Sequence, residues 1–219
     1  GYGSRAANIN ISGCEIYNNF EDTDFEGPGA PTTTFNTYGV GFYRAQNLII
    51  ENNIIHGNGW GIRAKGDDAT NLVRNNIMRR NIIYDSANAI GGLVLKHTKV
   101  YENIIYDSSQ GIVPEQTNMN WWENLTNTTI FNNVIYNSGP GIKFGFWNDN
   151  AAFMTNMTVL NNIVYNSRDA FQREWTVTDP ETQFPGLWED YNLWYSPVGS
   201  DVVYWNGAIW DLATYKANT

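Results

Sequence analysis

The sequence predicts an all-β protein built as a solenoid, and three observations support this fold class. A short segment resembling "NIIY" recurs through the chain, apolar residues recur at fixed distances from it, and the composition is that of a turn-rich β protein. Charged residues make up 16% of the 219 residues and aromatic residues 15%, whereas about a quarter of an average domain is charged. The length is sufficient for one domain with a sizeable core.

The recurring segment defines a repeat whose copies can be aligned on the residue before the "IIY"-like triplet. The copies are CEIYNN (14–19), NIIHGN (53–58), NIIYDS (81–86), NIIYDS (103–108), NVIYNS (133–138), NIVYNS (162–167) and a shortened NLWYS (192–196). Successive anchor residues lie 39, 28, 22, 30, 29 and 30 residues apart, so the bare unit has 22 residues and longer units carry an added loop. Helical repeats need about 33 residues or more, and a leucine-rich unit would show a Leu-x-x-Leu-x-Leu frame that this repeat lacks. The spacing therefore favours a β-solenoid.

The anchor column is occupied by asparagine in five successive copies. Its members are Asn53, Asn81, Asn103, Asn133 and Asn162. Coils of a solenoid stack at the strand spacing of about 4.8 Å, so equivalent side chains form ladders. We expect these amides to hydrogen-bond from coil to coil, and we expect the anchor residue to adopt left-handed backbone geometry at a tight turn.

Small and apolar residues form further columns. Eight residues after the anchor stand Gly61, Ala89, Gly111, Gly141 and Ala170. This column predicts a bend at which a larger side chain would not fit or a positive φ is needed. Two apolar columns, three residues before the anchor and nine residues after it, are expected to fill the tube. They are Ile50, Met78, Val100, Ile130 and Val159, and Ile62, Ile90, Ile112, Ile142 and Phe171.

The pattern Asn-Ile-Ile-Tyr-Asx-Ser-x-x-Gly-Ile resembles the right-handed parallel β-helix repeat family over about residues 8–171. That family includes pectate lyases, polygalacturonases, alginate and chondroitin lyases, and many phage tailspikes. The resemblance implies a right-handed parallel β-helix of about six to seven coils. It also implies an extracellular location, in secreted form or at the cell surface, and a polysaccharide as the partner. The repeat specifies the fold more than the function, because its columns are structural.

The two ends of the chain differ from the repeat. We expect residues 1–180 to form the β-helix, and residues 181–219 to form a last degenerate coil and a C-terminal cap. Within the tail, "VVYWNGAIW" predicts a hairpin with an Asn-Gly turn at 206–207, and Asp211 to Lys216 suits a short helix. The N-terminus shows no comparable cap. Additional N-terminal coils or a partner would then cover the first coil.

Charge and cysteine content exclude several classes of protein. The net charge is −9, which argues against a nucleic-acid partner because phosphate recognition needs a basic surface. No apolar run reaches the roughly 18 residues that a membrane span requires. Cys14, the one cysteine, has no disulfide partner in the chain, and we expect it to be a small buried apolar residue.

A basic window stands out on this acidic chain. Residues 63–99 contain seven of the 13 basic residues and three aspartates, which gives a local net charge of +4. The basic residues are Arg63, Lys65, Arg74, Arg79, Arg80, Lys96 and Lys99. Such a strip suits the binding of an anionic glycan, although a solvated face with scattered ion pairs would give the same sequence pattern. If the chain is an enzyme, the resemblance implies a polysaccharide lyase, with Lys65, Arg63, Lys96 and His97 as candidate catalytic residues.

Other candidate site residues lie in the predicted loops. Aromatic rings that could stack on sugars are Trp60, Trp121, Trp122, Trp147 and Trp175; packing of the loops on the tube is the alternative. The acidic segment at 21–27 could hold Ca²⁺ through Asp22, Asp24 and Glu26. A paired-carboxylate hydrolase would rest on Asp67 and Asp68 alone, which makes a glycoside hydrolase the weaker reading.

The sequence predicts different roles for the two histidines. His56 occupies a column otherwise held by tyrosine, so packing is its expected role. His97 follows Lys96 inside the basic window and could act as an acid or base. The functional hypothesis is an extracellular β-helix protein that binds, and as a lyase cleaves, an acidic polysaccharide. The alternative is a non-catalytic solenoid module for adhesion or spacing within a longer secreted or phage protein.

Overall fold

A computed structural model describes residues 7–19, 37–65, 73–93, 95–116, 125–146, 154–167, 169–173, 186–195, 203–205 and 208–210. All regular secondary structure within these residues is β-strand. The structure confirms the parallel β-helix: successive coils of the chain stack on one another, and strands at equivalent positions pair in parallel. Among the described residues we find no helix that could span a membrane.

The described strands form four sheets, which the chain visits in the order A, B, C, D in the four coils that start at Val73, Leu95, Leu125 and Met154; the other described coils have no strand in sheet A. Sheet A contains β7 (Val73–Arg74), β11 (Leu95–Lys96), β15 (Leu125–Thr126) and β19 (Met154–Thr155). Sheet B contains β1 (Asn10–Ser12), β4 (Ile49–Glu51), β8 (Ile77–Arg79), β12 (Lys99–Tyr101), β16 (Thr129–Phe131), β20 (Thr158–Leu160) and β23 (Trp188–Asp190).

The other two sheets complete each coil. Sheet C contains β2 (Glu15–Tyr17), β5 (Ile54–His56), β9 (Ile82–Tyr84), β13 (Ile104–Tyr106), β17 (Val134–Tyr136), β21 (Ile163–Tyr165) and β24 (Leu193–Tyr195). Sheet D contains β3 (Tyr38–Tyr43), β6 (Trp60–Lys65), β10 (Asn88–Leu93), β14 (Gln110–Gln116), β18 (Ile142–Phe146), β22 (Phe171–Arg173), β25 (Val203–Trp205) and β26 (Ala208–Trp210).

The register of these sheets matches the sequence repeat. In sheet C, Ile105 lies between Ile83 and Ile135, and the neighbouring strands pair with the same offset. Both predicted apolar columns are buried in one continuous core. Their members from Ile50 to Phe171 are each at most 1% exposed. The tube is therefore filled by the columns that the repeat predicts.

The asparagine ladder is continuous through the coils. Nδ2 of Asn103 donates to Oδ1 of Asn133 at 3.0 Å and to the carbonyl oxygen of Met78 at 3.0 Å. Oδ1 of Asn103 accepts from both N and Nδ2 of Asn81 at 3.0 Å. The ladder runs from Asn53 to Asn192, which extends the prediction by one rung.

The left-handed residue of this turn was predicted one position too late. Positive φ values occur at the residue before the anchor, for example at Asn52 (56°), Glu102 (55°) and Asn132 (55°). The anchor itself points inward and makes the ladder, so the outward-facing residue before it takes the left-handed bend. Since Arg80 and Tyr191 also adopt φ values near 55°, the bend is imposed by the ladder and is not specific to asparagine.

The column of small residues is needed because a larger side chain would not fit there, and not because the backbone adopts a positive φ. A Cβ on Gly61 would lie 2.6 Å from the carbonyl oxygen of Ala89 and 2.7 Å from Cγ2 of Ile83. Gly61 has no positive φ, and neither do Gly111 and Gly141. The first of the two predicted reasons is confirmed and the second is wrong.

At the C-terminal end, the predicted hairpin is present. Strand β25 pairs in parallel with β22, and it pairs with β26 in antiparallel fashion across the two residues 206–207. Strands β23 and β24 add a seventh described coil to sheets B and C. The predicted helix at 211–216 lies outside the described residues.

Cys14 is exposed, so the prediction that it is buried is wrong. It occupies the anchor column of the first described coil, and its backbone N–H donates to Oδ1 of Asn53 at 3.0 Å. In later coils the anchor asparagine is bonded by the asparagine of the coil before, as Oδ1 of Asn81 accepts from N and Nδ2 of Asn53. Its exposure follows from its place at the start of the ladder.

Candidate functional site

Sheet D is where the chain departs from its repeat. The longer units carry their added residues at the ends of sheet D strands: 20–36 come between β2 and β3, and 66–72, 117–124, 147–153 and 174–185 follow β6, β14, β18 and β22. Function in repeat scaffolds concentrates in such insertions and in the strand face beside them. The outer face of sheet D is therefore the first candidate site.

The sequence of β6 shows which residues reach this face. Gly61, Ile62 and Ala64 point into the tube: Ile62 and Ala64 belong to the core, and a Cβ on Gly61 would touch core Ile83. Two consecutive inward residues leave Trp60 on the outer side, together with Arg63 and Lys65. In register with these three lie the outward positions of the neighbouring strands.

Arg63 packs between two aromatic rings on the outer face. Its Cζ lies 4.3 Å from the ring centroid of Trp60 and 5.5 Å from that of Tyr38 in the preceding coil. The Trp60 ring extends over the next coil, where a Cβ on Gly91 would lie 2.7 Å from Cζ3 of Trp60. Arg63 is 4% exposed and Trp60 3%. The guanidinium is thus fixed in a nearly buried aromatic setting, where cation–π contacts are strongest.

Lys65 approaches the same aromatic ring. Its Nζ lies 5.5 Å from the ring centroid of Tyr38, and the side chain is half-buried. The structure therefore brings Arg63 and Lys65 together around Tyr38. Two positive charges and an aromatic ring form one unit at the end of β6, the point at which residues 66–72 leave the sheet.

The column that contains Arg63 continues along sheet D. Its outward positions are Gly41, Arg63, Gly91, Val113, Lys143 and Gln172. Oε1 of Gln172 is buried and accepts no hydrogen bond from the described residues. A buried acceptor of this kind is uncommon and marks a place where a further donor fits. The column adds a second cation, Lys143, three coils beyond Arg63.

Lys96 and His97 lie on the next part of the coil. Lys96 is in β11 of sheet A, opposite Arg74 on one side and Thr126 on the other. His97 is exposed and has a φ of 49° at the bend towards sheet B. Sheet A follows sheet D closely in this coil, because β10 ends at Leu93 and β11 begins at Leu95. The four candidate catalytic residues thus form two pairs on adjacent sheets.

The remaining basic residues of the window are divided around the tube. Arg79 on sheet B forms an ion pair with Glu51 at 2.6 Å, and Arg80 forms one with Glu102 at 2.7 Å. Lys99 is exposed on sheet B. For Arg79 and Arg80 the structure gives cross-coil ion pairs, which is the alternative that the sequence left open.

His56 has the packing role that its column predicts. Its ring stacks between those of Tyr17 and Tyr84, with centroid distances of 5.2 and 4.7 Å. Nε2 also lies 3.3 Å from Oε1 of Glu15. His56 therefore belongs to the stacked ring column of sheet C.

Several candidate residues lie outside the described part of the chain. They are Trp121, Trp122, Trp147 and Trp175 of the aromatic set, Asp22, Asp24 and Glu26 of the predicted Ca²⁺ site, and Asp67 and Asp68. Within the described residues, no three His, Cys, Asp or Glu side chains come together as a metal site would require. The Ca²⁺ site stays a prediction from sequence.

Sequence reasoning missed Tyr38, Lys143 and Gln172. The sequence does contain a pattern that points to these residues. In each coil, four residues run from one position before the small column to two positions after it: YGVG, WGIR, NAIG, QGIV, PGIK and DAFQ. Their first and last letters are the outward positions. These letters vary from coil to coil, so a search for constant columns passes over them.

Comparison with known proteins agrees with this architecture. A family model described as a right-handed β-helix region matches residues 2–174. A search of curated proteins finds no match to the chain.

Proposed function

The chain belongs to the right-handed β-helix family, and we propose that it is an extracellular protein that binds an acidic polysaccharide along the outer face of sheet D. Cleavage of that polysaccharide by β-elimination is the reaction that we propose for the same face. The observation that carries the proposal is the unit formed by Arg63, Lys65 and Tyr38, which lies beside the insertions of the repeat.

The chemistry of this unit suits a chain of uronic acids. A guanidinium and an ammonium group can bind carboxylates, and charge-assisted hydrogen bonds of this kind are among the strongest in proteins. Aromatic rings contribute apolar contact with the C–H groups of a sugar. Because the chain carries a net charge of −9, a local cluster of cations is needed to attract an anionic polymer.

The environments of Arg63 and Lys65 support different roles. Arginine keeps its proton under all ordinary conditions, and Arg63 is nearly buried. It therefore contributes a fixed positive charge to the face beside Lys65 and does not accept a proton. Lys65 is half-buried at the edge of the face. Its ammonium form binds a carboxylate, and its neutral amine form, after loss of a proton to solvent, is the form that would take the proton α to the carboxylate.

In β-elimination, the electrons of the broken C–H bond form a C=C bond, and the glycosidic C–O bond on the next carbon breaks. The leaving oxygen then needs a proton. Lys96 and His97 on sheet A are the candidate donors. Ca²⁺ held by Asp22, Asp24 and Glu26 would neutralise carboxylate charge, as the sequence predicts.

Polysaccharide binding is tested with two lysine variants matched in charge. Lys65→Gln is expected to weaken binding of polygalacturonate, alginate or chondroitin sulfate by about tenfold or more, since one charge-assisted contact is lost. Lys99→Gln removes the same charge from sheet B and is expected to change affinity by less than about twofold. Affinity electrophoresis and titration calorimetry at low and high salt measure both. Equal affinities of the two variants, or no binding of any acidic polysaccharide by the native chain, would contradict the proposal.

Cleavage is tested separately through the absorbance of unsaturated uronates, with and without Ca²⁺. Binding without any rise in absorbance would favour the second candidate, a non-catalytic module for adhesion or spacing. The observation that favours this second function is the row of exposed isoleucine, valine, leucine and tyrosine side chains on the outer side of sheet C.

A further inference from the structure

The outer face of sheet C carries two continuous ladders of apolar and aromatic side chains. The first residue of each strand from β5 onward is aliphatic: Ile54, Ile82, Ile104, Val134, Ile163 and Leu193. The third residue of each strand is aromatic: Tyr17, His56, Tyr84, Tyr106, Tyr136, Tyr165 and Tyr195. The middle residue points into the core. We call this surface the sheet C face.

The sheet C face is exposed along its full length. Its aliphatic members are 36–56% exposed, and Tyr17, Tyr136, Tyr165 and Tyr195 are 44–53% exposed. At about 150–250 Å² for a large apolar side chain, these ten residues present on the order of 800 Å² of accessible surface. Monomeric proteins seldom expose contiguous apolar patches larger than a few hundred Å². A patch of this size indicates a binding partner.

The sheet C face is flat and uncharged. Stacked ring pairs along it, from Tyr17–His56 to Tyr165–Tyr195, are parallel within 2–10°, so neighbouring strands are hardly rotated against each other. From β5 to β24, none of its outward residues carries a carboxylate, an ammonium or a guanidinium group. Glu15 is the acidic exception, in the first described coil.

The arrangement of the rings argues against a sugar as the occupant. Five of the six neighbouring ring pairs along the ladder are stacked, at centroid distances of 4.7–5.7 Å, and the sixth pair, Tyr106 and Tyr136, is in backbone register. The ladder therefore presents ring edges outward, whereas stacking on a sugar requires an open ring face. The adjacent aliphatic ladder offers no hydrogen bond to a glycan hydroxyl.

We propose that the sheet C face is the surface through which two copies of this chain associate back to back. Its area matches what one partner buries in a stable interface, about 800 Å². A second copy presents the same flat face with the same repeat of about 4.8 Å, so the two faces are complementary in shape and spacing. The uncharged centre offers nothing that would select a partner of opposite charge.

A two-fold axis is the expected symmetry, because it places the same patch on both partners. The aliphatic ladder of one copy then packs against the sheet C face of the other, at the distance of about 10 Å usual for stacked sheets. The net charge of −9 on each chain opposes association at long range. Added salt screens this repulsion and strengthens apolar burial, so dimerisation is expected to increase with ionic strength.

The test is the mass of the protein in solution over a range of concentrations. Sedimentation equilibrium of the native 24.8-kDa chain in about 0.15 and 0.5 M salt should give a mass that rises towards twice this value, with the tighter association in 0.5 M salt. The double variant Ile104→Lys and Val134→Lys places two charges on adjacent coils of the face. It is expected to raise the dissociation constant by at least about tenfold.

A matched control carries the same charges on sheet B. Thr129→Lys and Thr158→Lys also lie on adjacent coils and should leave the dissociation constant within about twofold of the native value. Circular dichroism and thermal melts of both double variants establish that they are folded. A native chain that remains monomeric at about 100 μM in 0.5 M salt, or two double variants that weaken association equally, would overturn the proposal.

A second measurement needs no substitution. Hydroxyl-radical footprinting at low and high protein concentration compares Tyr136 and Tyr165 with Tyr43, which lies on sheet D and is 51% exposed. Association through the sheet C face should reduce oxidation of Tyr136 and Tyr165 at high concentration and leave Tyr43 unchanged. Equal protection of all three would point to a different interface and overturn the proposal.

Discussion

At the residue scale, the anchor asparagine satisfies all its hydrogen-bonding atoms inside the tube. Asn103 is 1% exposed, and its amide makes two bonds as donor and two as acceptor. A buried polar group stabilises a fold only when its partners are all present. Each rung also binds the rung before and the rung after it, so one side chain links three coils.

Removal of one rung is expected to cost more than one hydrogen bond. Asn103→Ala leaves the amide groups of Asn81 and the carbonyl oxygen of Met78 buried with missing partners. At the low end of about 1–3 kcal/mol for each of these three groups, the free energy of unfolding should fall by about 3 kcal/mol or more. Urea unfolding followed by circular dichroism measures this change.

Asn10→Ala is the matched control for this substitution. Asn10 is exposed on β1 and makes one side-chain bond, to Oε1 of Glu51 at 3.3 Å. Its replacement should change the free energy of unfolding by less than about 0.5 kcal/mol. Similar losses in the two variants would show that the ladder contributes no more than an exposed asparagine.

The ladder could be predicted from the sequence because every coil needs the same residue there. The bend beside it could not, since its left-handed residue is asparagine in some coils but arginine or glutamate in others. For Cys14, the sequence predicts a buried residue because cysteine is usually buried. Its exposure depends on its being in the first described coil, which the local pattern does not reveal.

At the element scale, sheet B shows how neighbouring coils are linked on the outside of the tube. Arg79 in β8 donates from Nε to Glu51 in β4 at 2.7 Å and from Nη1 to the hydroxyl of Tyr101 in β12 at 2.8 Å. These three side chains connect three successive strands. The hydrogen bond from Arg79 holds the pKa of Glu51 below its ordinary value.

The lowered pKa of Glu51 predicts a dependence of stability on pH. A carboxylate with a depressed pKa in the folded state stabilises the fold above its ordinary pKa near 4.5, and this contribution is lost as pH falls through the lowered value. Glu51→Gln should therefore be less stable than the native chain at pH 7, and the difference should shrink below pH 4.5. Thermal melts from pH 7 to pH 3 measure the difference.

Arg79→Gln removes the cause of the shift and serves as the control background. In that background, Glu51→Gln should have a smaller effect at pH 7, and the effect should vary less with pH. A constant difference in stability between the native chain and Glu51→Gln at all pH values would contradict the prediction, because Glu51 would then contribute no dependence on pH.

Part of the candidate site on sheet D can be predicted from the sequence, and part of it cannot. The basic window is visible in the sequence, and it predicts Arg63 and Lys65 as site residues. Their grouping around Tyr38 was not visible, because Tyr38 lies one coil earlier and 25 and 27 residues away in sequence. The double inward step at Gly61 and Ile62 also changes which side chains face outward. Simple alternation along the strand would have placed Trp60 in the core.

At the scale of the whole molecule, stability builds along one axis because each coil contacts only its neighbours. Coils in the middle are covered on both sides. In the first described coil, the inward residues Ile11 and Ile16 are only half-buried, whereas their equivalents Ile50 and Ile55 are fully buried. The last described coil is better covered, since Trp194 is 6% exposed and stacks on Phe171 at 5.3 Å.

These differences predict an order of local stability that hydrogen exchange can measure. Local opening requires the least free energy where the fewest apolar contacts are lost. Amides of β1 and β2 should therefore exchange fastest, those of β23 and β24 at intermediate rates, and those of β12 and β13 slowest, with at least about a tenfold difference between the extremes. The measurement is made by mass spectrometry at low protein concentration, so that association through the sheet C face does not add protection. If the first coil exchanged as slowly as the middle coils, the solenoid would open as one cooperative unit, and the coils would not differ in stability as their burial predicts.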